Sequence, residues 1–225
     1  MRWISVFMVL SRSEAAAAPW IQEEDALYVR ISVADEIVEG LRGTRSDVYA
    51  EYGITSRTTL SFKAERIRYG DASDFNSDGW RATVRRSLIN IGAFTASAEL
   101  GALQGAAIGG RNGCDTLGIE LRSGLSWSGT WRNRQTFAFS EVATRNYKKC
   151  RRDRLELGFG QQATERLWNI IQVWLERGSP NAQSYKVQSE VLWRGEYADF
   201  SIGYRQEIGG VFQEESVFLA VARQF

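Results

Sequence analysis

Histidine is absent from all 225 residues. That absence removes Ser-His-Asp and Cys-His nucleophilic sites and most catalytic zinc arrangements. A lipid-modifying enzyme would have to work through a lone carboxylate or a Ser–Lys pair, and no such constellation is recognisable. Long apolar runs are also missing. A helical span needs roughly 18 or more such residues, and mean hydropathy is −0.31. Proline occurs only as Pro19 and Pro180, neither inside a strand-like run, as a chain built of hydrogen-bonded ladders requires. With a net charge of +1, the chain carries no overall bias toward nucleic acid or an acidic partner. Nothing in it calls for a cofactor.

Glycine and aromatic residues are abundant, and the dominant hydrophobic period is two, the mark of strands with one apolar face. Twelve such segments can be read. They are marked by Leu27 to Val33, Val48 to Tyr52, Leu60 to Ala64, Trp80 to Val84, Phe94 to Leu100, Leu117 to Leu125, Phe137 with Phe139, Leu155 to Phe159, Leu167 to Leu175, Val187 to Trp193, Phe200 to Tyr204 and Val217 to Phe225. The ninth looks apolar on both faces, because Trp168, Ile170 and Trp174 fall between its alternating residues. A count of ten stays open, since the link between segments four and five is very short.

A soluble sandwich would alternate too. Three features point instead to a closed antiparallel transmembrane β-barrel. The polar face is charged at mid-strand: Arg30, Lys63, Glu65, Arg81, Arg85, Glu99, Glu120, Arg122, Glu156, Lys186, Glu190 and Arg205. Short connections near Gly53, Asn90 to Gly92, Gln161 to Thr164 and Gly195 alternate with longer ones at 35–45, 70–79, 104–115, 144–153, 177–184 and 208–215. Barrels of this kind have short turns at one rim and longer loops at the other. Aromatics also sort by height: Tyr52, Trp127, Trp131, Trp168, Trp193 and Phe225 fall near the short-turn end, like an interfacial girdle. In hydrocarbon no backbone group stays unpaired, so strands close on one another and turn apolar side chains outward.

The N-terminus reads as an export signal: Arg2, an apolar core from Trp3 to Leu10, and small residues at Ala15 to Ala18. Arg12 and Glu14 depart from the neutral stretch usual there. Residues 1–18 are therefore expected to be removed, leaving 19–225 as one barrel domain. The last residues, Val217 to Phe225, alternate and stop on an aromatic. This ending resembles the closing strand of Gram-negative outer-membrane β-barrel proteins. Glu51-Tyr52-Gly53-Ile54-Thr55 is similar to hairpins of outer-membrane transport barrels. The resemblance implies a bacterial outer-membrane location and termini in the periplasm. It implies contact with lipid and lipopolysaccharide, and reading of Phe225 by the barrel-assembly machinery.

Twelve strands lie between barrels filled by side chains and those with wide channels. The leading expectation is a small porin or passive solute channel, with Lys63, Glu65, Arg81, Arg85, Glu120 and Arg122 lining the lumen. The alternative is a non-conducting structural or partner-binding subunit of an envelope assembly, which a densely bridged, neutral lumen would favour. Side-chain parity drifts in strands three, four and seven, where β-bulges would flip facing. Cys114 and Cys150, the only cysteines, fall in outer loops and suit a disulfide in an oxidising compartment. Lys148, Lys149, Arg151 and Arg152, followed by Arg154, form a basic outer loop suited to lipopolysaccharide phosphates or an anionic solute; a solvated loop is the plainer reading. Asp74, Asn76 and Asp78 precede Gly79 with the start of a calcium-loop spacing. The twelfth position is Arg85 instead of the bidentate Glu, so an acidic turn accounts for them better.

Overall fold

A computed structural model describes residues 19–70, 72–105, 116–179, 182–210 and 212–225. The first eighteen residues and Cys114 thus lie outside the described residues. Twelve strands alternate with short connections: β1 (Leu27–Val38), β2 (Leu41–Thr55), β3 (Thr58–Tyr69), β4 (Ser77–Ile91), β5 (Phe94–Gly105), β6 (Gly118–Trp131), β7 (Arg134–Tyr147), β8 (Arg151–Gln162), β9 (Leu167–Ser179), β10 (Ala182–Arg194), β11 (Asp199–Gly210) and β12 (Glu214–Gln224). Each pairs antiparallel with its neighbours in sequence, and β12 returns to β1, closing the barrel. The closing seam runs from Tyr28↔Gln224 to Val38↔Glu214. Leu27 and Phe225 exchange backbone hydrogen bonds at its end, 3.2 and 2.8 Å long. The strand count is therefore twelve, not ten. The ladders leave no open sheet edge, as a barrel in hydrocarbon requires.

Burial is inverted relative to a soluble protein. Ile31, Leu88, Leu121, Val142, Ile202 and Leu219 point outward and are more than half exposed, while Glu120 and Arg85 are fully enclosed. Leaving one large aliphatic side chain in water forgoes about 1.5–3 kcal/mol. The outer belt carries dozens of them, so this surface suits lipid. At one rim the belt ends in outward aromatics: Tyr52, Phe94, Trp131, Trp193, Phe200 and Phe225 are exposed, and Trp127 is half-buried. Trp131 meets Phe159 edge-on and Trp193 tilts against Phe200. At the opposite rim, outward ion pairs (Arg42 with Asp35, and Arg66 and Arg68 with Asp78) carry the wall beyond the apolar belt.

Several connections are shorter than the sequence pattern suggests. The expected long link at 35–45 is strand apart from Glu39 and Gly40. Both have positive φ, 49° and 78°, the geometry of a two-residue hairpin turn. Arg132 and Asn133 form a turn of the same kind between β6 and β7, with φ of 52° and 62°. The expected loops at 144–153, 177–184 and 208–215 shrink to 148–150, 180–181 and 211–213, because the flanking residues pair as strand. Among the described residues, the β3–β4 connection keeps its length and holds a short 3₁₀ turn at Ser73–Phe75; most of the expected loop at 104–115 lies outside the described residues. Register irregularities occur at Gly53/Thr55, Ser87/Ile89 and Tyr185/Lys186, and none occurs in β7.

Candidate functional site: the charged barrel interior

Alternation along β2 to β8 turns one row of each strand inward, and neighbouring rows meet at the register the turns set. Glu120 on β6 is the hub. Arg81 Nη1 donates to it at 3.0 Å and Arg122 Nη2 lies 3.3 Å away. Arg145 donates from Nε to its second oxygen. Arg122 also reaches Glu141 at 2.8 Å and Glu156 at 3.8 Å. Arg85 on β4 bridges Glu99 at 2.8 Å and Glu51 at 2.9 Å. A second group sits toward the rim opposite the termini. There Arg45 bridges Glu36 and Glu65, each at 2.7 Å. Arg205 joins Glu36 at 3.2 Å and Glu214 at 2.9 Å. Lys63 pairs with Glu65, and Lys186 with Glu214. Arg30 pairs with Glu190 at 3.0 Å.

All six residues expected to line the lumen face the interior, but not as one group. Arg81, Glu120 and Arg122 belong to the hub; Lys63 and Glu65 join the Arg45 group; Arg85 works with Glu51 and Glu99. Sequence reading passed over Glu36, Arg45, Glu141, Arg145 and Glu214. The signal available for them is their alternation with outward residues, which the expected loops at 35–45, 144–153 and 208–215 conceal for all but Glu141.

The terminus end of the interior is apolar. Phe137, Phe139, Trp168, Ile170 and Leu192 form a buried cluster. The chain before β1 turns into the barrel and joins it. Trp20 meets Phe137 and Phe139 edge-on, with centroids 5.4 and 5.9 Å apart, and Pro19 is fully buried. Arg85 Nη1 donates to the Trp20 carbonyl at 3.0 Å. The Gln22 amide donates to Thr59 Oγ1 at 2.9 Å, and its side chain to Glu51 at 2.7 Å. Two expectations are corrected here. Trp168 belongs to this inner cluster, not to the outer girdle. The aromatics of β7 face inward because Gly158 and Gly160 on β8 leave room for their rings; a Cβ at either would collide with Phe139 or Phe137.

The expected basic loop also divides. Lys148 and Lys149 are exposed in the β7–β8 connection. Arg151 opens β8 facing outward, 3.1 Å from Asp153, whereas Arg152 turns inward and is buried. Cys150 is buried beside Leu103 and Tyr147. In the acidic turn, Asn76 Oδ1 accepts from the Tyr69 amide at 2.8 Å, and Asp78 is held by Arg66 and Arg68. Those oxygens are engaged within the protein. Among the described residues no three acidic or sulfur ligands gather as a metal site.

Closed ladders, an apolar outer belt and a charged interior define a β-barrel built for a membrane. No protein-family model matches the chain, and no curated protein resembles it in sequence. Solved structures resemble it in fold. The NanC porin superposes with a TM-score of 0.64 at 10% identity, over 86% of this chain and 98% of that one. The KdgM porin gives 0.63 at 8% identity, over 87% and 99%. The COG4313 outer membrane channel from Pseudomonas putida F1 gives 0.61 at 11% identity, over 95% and 100%. At such identities the likeness establishes the fold alone.

Proposed function

We propose that the chain is a small porin or passive solute channel of a bacterial outer membrane, with both termini at the periplasmic rim and residues 1–18 acting as an export signal. The observation that carries this reading is the closed twelve-strand barrel, which superposes over nearly the whole length of two porins and an outer membrane channel. A buried ion pair is often no more stabilising than an apolar pair of the same size, so a purely structural barrel gains little from so many of them. Fixed charges of both signs do suit a narrow aqueous path, where they replace part of the hydration of a passing ion or polar solute. The sequence holds no histidine, which disfavours a histidine-dependent catalytic site.

Two observations favour a second reading. Pro19 to Gln22 occupies the terminus end of the lumen, and the arginines are extensively bridged. Both suit a non-conducting, partner-binding barrel. Ion selectivity decides between the two. In planar bilayers, an Arg81→Glu, Arg122→Glu variant that keeps heat-modifiable gel mobility is expected to shift reversal potential toward cation preference. A wild-type barrel that folds but gives no current would favour the second reading.

A further inference from the structure

Arg45, Arg81, Arg85, Arg122 and Arg145 are buried and each has a carboxylate within ion-pair distance. Arg152 is the least buried of these arginines, at 9% exposure, and among the described residues no carboxylate lies within 4.0 Å of it. Its Nε is enclosed without a hydrogen-bond partner. Its placement makes this costlier. Arg152 stands directly opposite Arg145 in the β7–β8 ladder, and like charges in that position repel. The next inward residue of β8, Arg154, adds a third cation, with an unpartnered Nε of its own. The nearby acids are already shared. Glu120 serves Arg81, Arg122 and Arg145; Glu156 serves Arg122 and Arg154; Glu176 lies 3.6 Å from Arg145. On β9, Gly178 faces Arg152, and a Cβ there would lie 2.5 Å from the arginine Cδ. The glycine leaves the space that lets the guanidinium stay inside the barrel.

A buried guanidinium without a counter-charge is expensive, and a bidentate oxyanion is the partner that its planar fork fits. We propose that Arg152, backed by Arg145 and Arg154, is a binding site for small carboxylate- or phosphate-bearing solutes on the lumen wall near the rim opposite the termini. This rests on the channel reading for its purpose, though not for its chemistry. Tyr147, one inward position beyond Arg145 on β7, offers a buried hydroxyl that also has no partner. The exposed Lys148 and Lys149 lie at the same rim and would draw anions toward it.

The test is titration of the refolded barrel in detergent with inorganic phosphate and with acetate, followed by calorimetry, for wild type, Arg152→Gln and Arg177→Gln. Arg177, exposed on the outer face immediately before Gly178 on the same strand, serves as the control. Loss of one charge-assisted contact should weaken phosphate at least about tenfold in Arg152→Gln, with Arg177→Gln like wild type. Equal affinity in wild type and Arg152→Gln, or no binding of either anion by the heat-modifiable wild type, overturns the site. Because binding is read without current, a barrel that binds but never conducts keeps the site and removes the channel.

Discussion

The Arg85 guanidinium donates at 3.0 Å to the backbone carbonyl of Trp20, tying the lumen wall to the segment that fills its terminus end. The same side chain bridges Glu51 and Glu99, so this tether is part of the ion-pair network.

Trp20→Gly removes the ring that meets Phe137 and Phe139 while leaving every ladder intact. The barrel is expected to fold, to lose about 2 kcal/mol of stability in urea unfolding, and to pass larger currents than wild type. Unchanged current would mean that this segment does not limit the path.

Glu120→Gln takes the shared counter-charge from Arg81, Arg122 and Arg145. Breaking a buried pair by removing one partner costs about 3–5 kcal/mol, read as a lower urea midpoint in lipid vesicles. Asp35→Asn at the exposed outer pair with Arg42 should leave the urea midpoint almost unchanged, since solvent screens that pair. Equal effects would contradict the division between enclosed network and outer rim.

Leu121 projects from the outer belt at 60% exposure. Leu121→Arg should destabilise folding into vesicles by about 2–4 kcal/mol, as for a charge near the bilayer midplane. A neutral effect would place that face in water.

Cys114 and Cys150 are expected to form a disulfide enclosing 35 intervening residues. Protein isolated without reductant should resist alkylation at both positions. By loop-closure entropy the bond should contribute about 3–4 kcal/mol. Complete alkylation of both thiols would contradict it.

The outer face was legible in the sequence because hydrocarbon imposes a strict rule on it: Ile31, Leu121, Val191 and Leu219 all alternate and all point outward. The inner face obeys no such rule, since a lumen may be charged or filled with aromatics. The alternation in β7 therefore does not tell which face Phe137 and Phe139 take, and the second apolar face of β9 is explained by Trp168 and Ile170 joining them inside. Glu39 and Arg132 hid two tight turns, because neither is a residue that favours positive φ. The first of these turns sets the β1–β2 register that brings Arg45 to Glu36. Glu120 as a shared hub depends on β4, β6 and β7 meeting at one height, which no single strand encodes.

The most direct test is single-channel recording of the refolded wild-type barrel in a planar bilayer. The account predicts discrete current steps whose selectivity shifts toward cations in the Arg81→Glu, Arg122→Glu variant. A heat-modifiable, correctly folded barrel that produces no steps at any voltage would contradict it.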